Sequence, residues 1–210
     1  MIDVYGASIN AALKAGNKVL HQAALAGNVE VVKTLLSYDH CDVNVEGQWG
    51  RTALHAACQN GHVACIHELM TGGAQVNVND CYKITPLHVA AAHNHPNVVT
   101  TLVDVYKASI NAANMHGCTA LHDAAHQGST EVARVLVSNP QCDVTIRTSD
   151  GKTAEDIARD EGHFDDIVRL INAANCPSSD VELIYCRDEY VERLGRLCDL
   201  QYTKASTDKS

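Results

Sequence analysis

Twelve histidines and nine cysteines are the residues of this chain best equipped for chemistry. Imidazole serves as a general base or a metal ligand, and a thiolate as a nucleophile or a ligand. Their spacing decides between these uses. His21, His55, His88 and His122 each follow a leucine and recur at intervals of 34, 33 and 34 residues. Such regularity belongs to architecture, and each imidazole is expected to bond within its own turn. His93 and His95 bracket a single Asn, which alone is no metal site. The cysteines (Cys41, Cys58, Cys65, Cys81, Cys118, Cys142, Cys176, Cys186 and Cys198) contain no C-x-x-C pair. They read as free thiols packed like small apolar side chains in a reducing compartment. The acidic pairs Asp160-Glu161 and Asp165-Asp166 read as solvated charge. Phosphate-cradling glycine loops and a nucleophile elbow are missing. The expectation is a non-enzyme with no cofactor, no metal and no small-molecule substrate.

Composition narrows the class further. Of the 210 residues 46% are apolar, 20% charged and only 4% aromatic, a globular balance that favours closely packed small helices. The net charge of -9 argues against nucleic acid as a general partner, because phosphate binding needs clustered Lys and Arg. No apolar run approaches the roughly 18 residues of a membrane span. The first residues also lack the pattern of a secretory signal. Together these predict an intracellular protein, cytoplasmic or nuclear, with a protein partner and no membrane insertion.

The histidines belong to a longer phrase. Thr52-Ala53-Leu54-His55, Thr85-Pro86-Leu87-His88 and Thr119-Ala120-Leu121-His122 are copies of it, with weaker ones at Lys18-Val19-Leu20-His21 and Thr153-Ala154-Glu155-Asp156. The opening "IDVYGASINAA" returns at 103–113, 101 residues later, which is three periods. Within each copy a Thr is placed to cap a short helix filled with apolar and small residues on both sides. Gly27-Asn28, Gly61-His62, Asn94-His95, Gly128-Ser129 and Gly162-His163 mark a turn to a second helix. Asp42-Val43-Asn44, Gln75-Val76-Asn77 and Ser109-Ile110-Asn111 enter an extended loop. One such unit cannot bury its own apolar face and must stack on its neighbours.

Phrase and period resemble the ankyrin repeat, with its T-P-L-H-x-A signature at about 33 residues. The resemblance implies an all-α solenoid of stacked helix-turn-helix units with extended finger loops, followed here by a C-terminal helix. The units are expected at 18–51, 52–84, 85–118 and 119–152, with a capping unit at 153–175. Residues 1–17 read as the tail of a unit whose first half is absent, and truncation is the favoured explanation. Three units carry one extra residue after the second helix, at 37–42, 104–109 and 138–143, expected in loops on the rim. In the fifth unit Glu155-Asp156 replaces Leu-His, as suits a face turned to water, and no sixth repeat is expected.

Residues 176–210 fall outside the period. Pro177 and the Ser179-x-x-Glu182 capping box predict a helix from about Asp180, packed on the last repeat, before a polar disordered tail at 201–210. Cys186-Arg187, Tyr190 and Leu194-Gly195 also resemble the SOCS-box helix that follows ankyrin arrays in ubiquitin-ligase substrate receptors. That reading assigns adaptor binding to Cys186, Tyr190 and Leu194. It is weakened by Glu182, by Val191 and by the missing cullin motif.

The family resemblance implies recognition of a protein or peptide in a groove lined by finger tips and first helices. The residues at those positions are Gln48, Trp49, Arg51, Gln59 and Asn60; Tyr82, Ile84, Ala92 and His93; Met115, His116, His126 and Gln127. Trp49, Arg51 and Tyr82 are the residue types that dominate binding hot spots. The stretch Leu36–Asn44 further matches the pattern L-x5-[DE]-V-N, which makes Asn44 a candidate for asparaginyl hydroxylation.

Overall fold

The computed structural model describes residues 18–163 and 166–175. Within residues 18–170 the chain is built of paired short helices. The first helices are α1 (Val19–Leu25), α3 (Ala53–Gln59), α5 (Pro86–Ala92), α7 (Ala120–Gln127) and α9 (Ala154–Asp160). The second helices are α2 (Val29–Leu36), α4 (Val63–Thr71), α6 (Pro96–Thr100) and α8 (Thr130–Ser138), with α10 (Ile167–Asn175) closing the set. Each first helix packs on the next, α1 on α3, α3 on α5, α5 on α7 and α7 on α9. Seven or eight residues make too short a helix to persist alone, so this stacking is what holds each one.

The repeated phrase supplies that stacking. Leu20, Leu54, Leu87 and Leu121 are all buried, together with the alanines beside them. A buried leucine contributes about 1.5–3 kcal/mol, and the small alanines let neighbouring helices approach closely. Glu155, at the matching position of the fifth unit, keeps its side chain 19% exposed and pairs with Arg159 one turn on.

The histidines do more than bond within their own turn, which enlarges the expectation from sequence. His55 Nδ1 accepts the Thr52 N–H at 3.1 Å, while its Nε2 donates to the Ile84 carbonyl of the next unit at 3.0 Å. His21 joins Arg51 in the same way at 2.7 Å, and His88 joins Cys118 at 2.9 Å. A carbonyl can only accept and an amide N–H only donate, so the imidazole is fixed as the neutral Nε2–H tautomer. Burial, partly offset by the Ile84 bond, lowers the His55 pKa to about 4 and maintains that neutral form. Asp156 accepts the Thr153 N–H at 2.9 Å as the histidines do, but a carboxylate has no proton to send onward.

A second lock joins the turns between helices. A Cβ on Gly27 would meet the His62 ring at 2.6 Å, one on Gly61 the His95 ring at 2.8 Å, and one on Gly128 the His163 ring at 2.5 Å. His62 Nε2 bonds the Leu25 carbonyl at 3.1 Å and His95 Nε2 the Gln59 carbonyl at 2.9 Å. Where Asn94 takes the glycine position, at φ 55°, the next unit offers Ser129 in place of the histidine. Side-chain volume is traded across the junction.

One rim expectation is corrected. The extra residue of 104–109 does not enlarge a loop, because a π-helical turn at Thr101–Val105 absorbs it within the second helix. Tyr106 follows directly, and its hydroxyl reaches back 2.6 Å to His67 Nδ1 on α4. The predicted helix and tail of residues 176–210 lie outside the described residues.

Candidate functional site: the finger tips and first helices

A backbone bond spans the base of each finger tip, Gly47 N–H to Arg51 O (2.8 Å), Asp80 to Ile84 (3.0 Å), Asn114 to Cys118 (2.9 Å) and Thr148 to Lys152 (2.9 Å), with further turn bonds inside it. Neighbouring tips are then tied to each other. The Cys81 N–H donates to Trp49 O at 2.9 Å, Met115 to Tyr82 O at 3.0 Å, and Ser149 to His116 O at 2.8 Å. This ladder sets Trp49, Tyr82 and His116 at equivalent places one unit apart. Trp49 is 55% exposed, Tyr82 47% and Met115 52%, the three most solvent-open large apolar side chains of the fingers.

Asp80 is the residue that sequence reading missed. Its Oδ1 accepts the N–H groups of Tyr82 (2.8 Å) and Ile84 (2.9 Å), and its Oδ2 meets Arg51 Nε at 3.2 Å. The carboxylate is wholly buried. Asn114 Oδ1 does the same work in the next finger, toward His116 and Cys118. The first finger has Gly47 at this place and forms a 3-10 turn, Gln48–Gly50, with Trp49 at φ 58°. A polar residue five positions before the repeated Thr was the signal available in the sequence.

The predicted recognition residues divide accordingly. Trp49, Tyr82, Met115 and His116 face solvent at the tips, and His93, His126 and Gln127 are exposed at the ends of their helices. Arg51 is half-buried against Asp80, and Ile84 is held through its backbone. Asn60 is exposed but its amide donates to the Leu25 carbonyl at 2.7 Å. His126 Nε2 lies 3.6 Å from Glu161 Oε1 of the following unit. A pocket of about 110 Å³ brings Gln48, Trp49, Arg51 and Gln59 together, floored by Thr52 and Ala56 and bounded by Gln22 and Leu25 of the preceding unit.

Asp123 departs from its row. The position after the repeated histidine holds Gln22, Ala56, Val89 and Ile157 in the other units. In α7 it holds a half-buried carboxylate, and burial raises its pKa to about 7. Its side chain has no hydrogen-bond or ion-pair partner among the described residues.

Asn44 stands elsewhere, at the base of its finger. Its Oδ1 accepts the Gln75 N–H at 2.9 Å and its amide donates to Gly73 O at 3.1 Å. Asn111 makes the same strut to Asp143 and Gln141. Cys186, Tyr190 and Leu194 lie outside the described residues.

Stacked units of this phrase, period and finger ladder are matched by family models for ankyrin repeats, over residues 20–114 (three copies) and 108–158 (many copies). The chain belongs to the ankyrin-repeat family. Among curated relatives, a TRPA1 channel homologue of Caenorhabditis elegans is 32% identical over 79% of this chain and 13% of its own length. The tyrosine-protein kinase Shark of Drosophila melanogaster is 30% identical over 69% of this chain and 15% of its own. A probable 26S proteasome regulatory subunit, p28 of Saccharomyces cerevisiae, is 31% identical over 67% of this chain and 62% of its own. The ankyrin chain thus spans under a fifth of the first two relatives and somewhat under two thirds of the third.

No group of three or more His, Cys, Asp or Glu residues is placed to hold a metal among the described residues. No helix among them is long and apolar enough to cross a membrane. The imidazoles of His21, His55 and His88 are occupied at both nitrogens, which leaves none of them a lone pair for base catalysis. The ankyrin array is a protein-interaction scaffold.

Proposed function

We propose that this array binds an extended segment of a protein partner along its finger tips and first helices, with Trp49 and Tyr82 as the anchors. The observation that supports it most directly is the exposure of Trp49 and Tyr82 at equivalent finger tips, with Met115 beside them, fixed by the backbone ladder between fingers. Ordered aromatic side chains cover much area with few rotors, so little conformational entropy is lost when they are covered. The pocket beside Trp49 adds a concave place for one partner side chain, with Gln48 and Gln59 at its wall. Arg51 acts from behind, through its contact with Asp80, and shapes the site more than it touches the partner.

The nine cysteines fit a reducing intracellular location, cytoplasmic or nuclear. The test is affinity purification with wild-type bait beside a Trp49→Ala/Tyr82→Ala bait. Both substitutions are at exposed tips, so the reading expects loss of captured protein with an unchanged melting temperature. Equal capture by the two baits would remove the finger tips from the function.

A further inference from the structure

The pocket beside Trp49, at the first junction between units, differs in chemistry from the same place one unit on. Gln22, Arg51 and Gln59 line it, whereas the equivalent positions at the second junction hold Ala56, Ile84 and Ala92. A cation and two amides are thus exchanged for three apolar side chains. Among the described residues no carboxylate lines the pocket. Asp80 is wholly buried, and its charge is shared by the Tyr82 and Ile84 N–H groups and Arg51 Nε. Glu46 of the same finger is exposed and stands outside the lining. Both nitrogens of His21 are engaged, and the Thr52 hydroxyl is bonded to His55. The side-chain amides of Gln22 and Gln59 make no hydrogen bond among the described residues. The cavity measures about 110 Å³, less than the ~150 Å³ that holds a benzene ring, so it suits a short side chain better than a ring.

We infer that this pocket takes the side-chain carboxylate of an Asp or Glu in the bound segment, while an apolar side chain of the same segment lies at the Tyr82 junction. The occupant follows from charge complementarity. A carboxylate entering here gains the Arg51 charge and accepts from the Gln22 and Gln59 amides. Hydrogen bonds to an ionised acceptor are about twice as strong as neutral ones. A Lys or Arg would bring a second cation beside Arg51 with no carboxylate in the wall to meet it, and like charges so placed exclude a partner. Arg51 works through its charge, from its place against Asp80, and the amides make the contact. The net charge of -9 disfavours an acidic segment over the chain as a whole, which directs its carboxylate to this junction. The inference rests on the proposed use of this face for partner binding and adds to it a sign and a register.

The test selects random dodecapeptides against the whole chain, displayed on phage through their C-termini so that only side chains supply carboxylates. Enriched peptides, synthesised with amidated C-termini, are titrated by calorimetry into the wild type, Gln59→Glu, Gln59→Lys and Trp49→Ala/Tyr82→Ala. The expected result is a fixed Asp or Glu at a set spacing from an apolar residue. Changing that acid to its amide in the peptide should weaken binding about tenfold and leaves the protein untouched. Gln59→Glu should weaken it by about as much and Gln59→Lys should not, and wild-type binding should fall as salt rises. Melting temperatures check that the Gln59 variants keep the fold. A fixed Lys or Arg in place of the acid, no fixed charge, or no enriched peptide would each overturn the inference. So would affinity unchanged by the amide peptide or by Gln59→Glu. Loss in Trp49→Ala/Tyr82→Ala with no effect of the amide peptide would leave the binding face standing and remove only its preference for a carboxylate. Binding unchanged in every variant would remove the face itself.

Discussion

The glycine–histidine junction allows one perturbation to be worked out from distances. In Gly61→Asn the new Cβ sits 2.8 Å from His95 Nδ1, 3.0 Å from Cε1 and 3.2 Å from Cγ. Asparagine is chosen because it tolerates the positive φ of 76° at this position better than other side chains, which isolates the clash from backbone strain. The ring has to move, and its bond to the Gln59 carbonyl is lost. Overpacking costs about 1–3 kcal/mol and the bond about 1 kcal/mol, so the single variant should lose about 2–4 kcal/mol. His95→Ser alone gives up the bond and the ring's packing, about 1–2 kcal/mol. In the double variant the clash has no target. It should be no less stable than His95→Ser, with a coupling energy equal to the loss of the Gly61→Asn single variant, about 2–4 kcal/mol. The junction already present in the third unit, Asn94 with Ser129, is this combination. Urea unfolding of the wild type, both single variants and the double variant measures the cycle. Additive losses would refute the argument that the two positions share one volume.

Two further outcomes follow from buried polar groups. His55 has a folded pKa of about 4 against 6.5 unfolded, so the unfolded chain binds the extra proton and stability rises with pH between those values. Asp123 has a folded pKa of about 7 against 3.8, so the folded chain binds the extra proton and stability falls with pH over the same range. The two slopes oppose, and Asp123→Asn should steepen the rise of stability by about 1.4 kcal/mol per pH unit from pH 4 to 6.5, read from urea midpoints. An identical profile in both proteins would show that Asp123 ionises normally. Asp80→Ala strips the Tyr82 and Ile84 N–H groups of their acceptor and Arg51 of its counter-ion, and should lower stability by about 3 kcal/mol in denaturant unfolding. A loss under about 0.5 kcal/mol, the size of an ordinary surface substitution, would mean that the finger closes without it.

Much of the fold was legible because its signal repeats. A leucine-histidine pair four times at one period leaves few alternatives, and the structure stacks α1, α3, α5, α7 and α9 as that period requires. The second nitrogen of His21, His55 and His88 was not legible, since its partner lies some 30 residues ahead and is a backbone carbonyl that any residue supplies. The π-helical turn at Thr101–Val105 was likewise hidden, because one inserted residue reads the same whether a loop or a helix absorbs it. For the site, family position identified the exposed tips, whereas Arg51 and Asn60 were assigned the same role and are tied to Asp80 and Leu25. Variability at a position does not distinguish a side chain facing solvent from one facing its own neighbour. Asp123 carried a visible signal, a carboxylate in a row of Gln, Ala, Val and Ile.

Trp49 is the single tryptophan of the chain, so its emission reports on one finger tip alone. Titrating a captured partner, or a segment of it, that is free of tryptophan into the wild-type protein measures whether that tip is covered. A saturable blue shift, absent when Tyr82→Ala abolishes binding, is the result that fits recognition along the fingers. Binding confirmed by anisotropy with the Trp49 emission unmoved would contradict it.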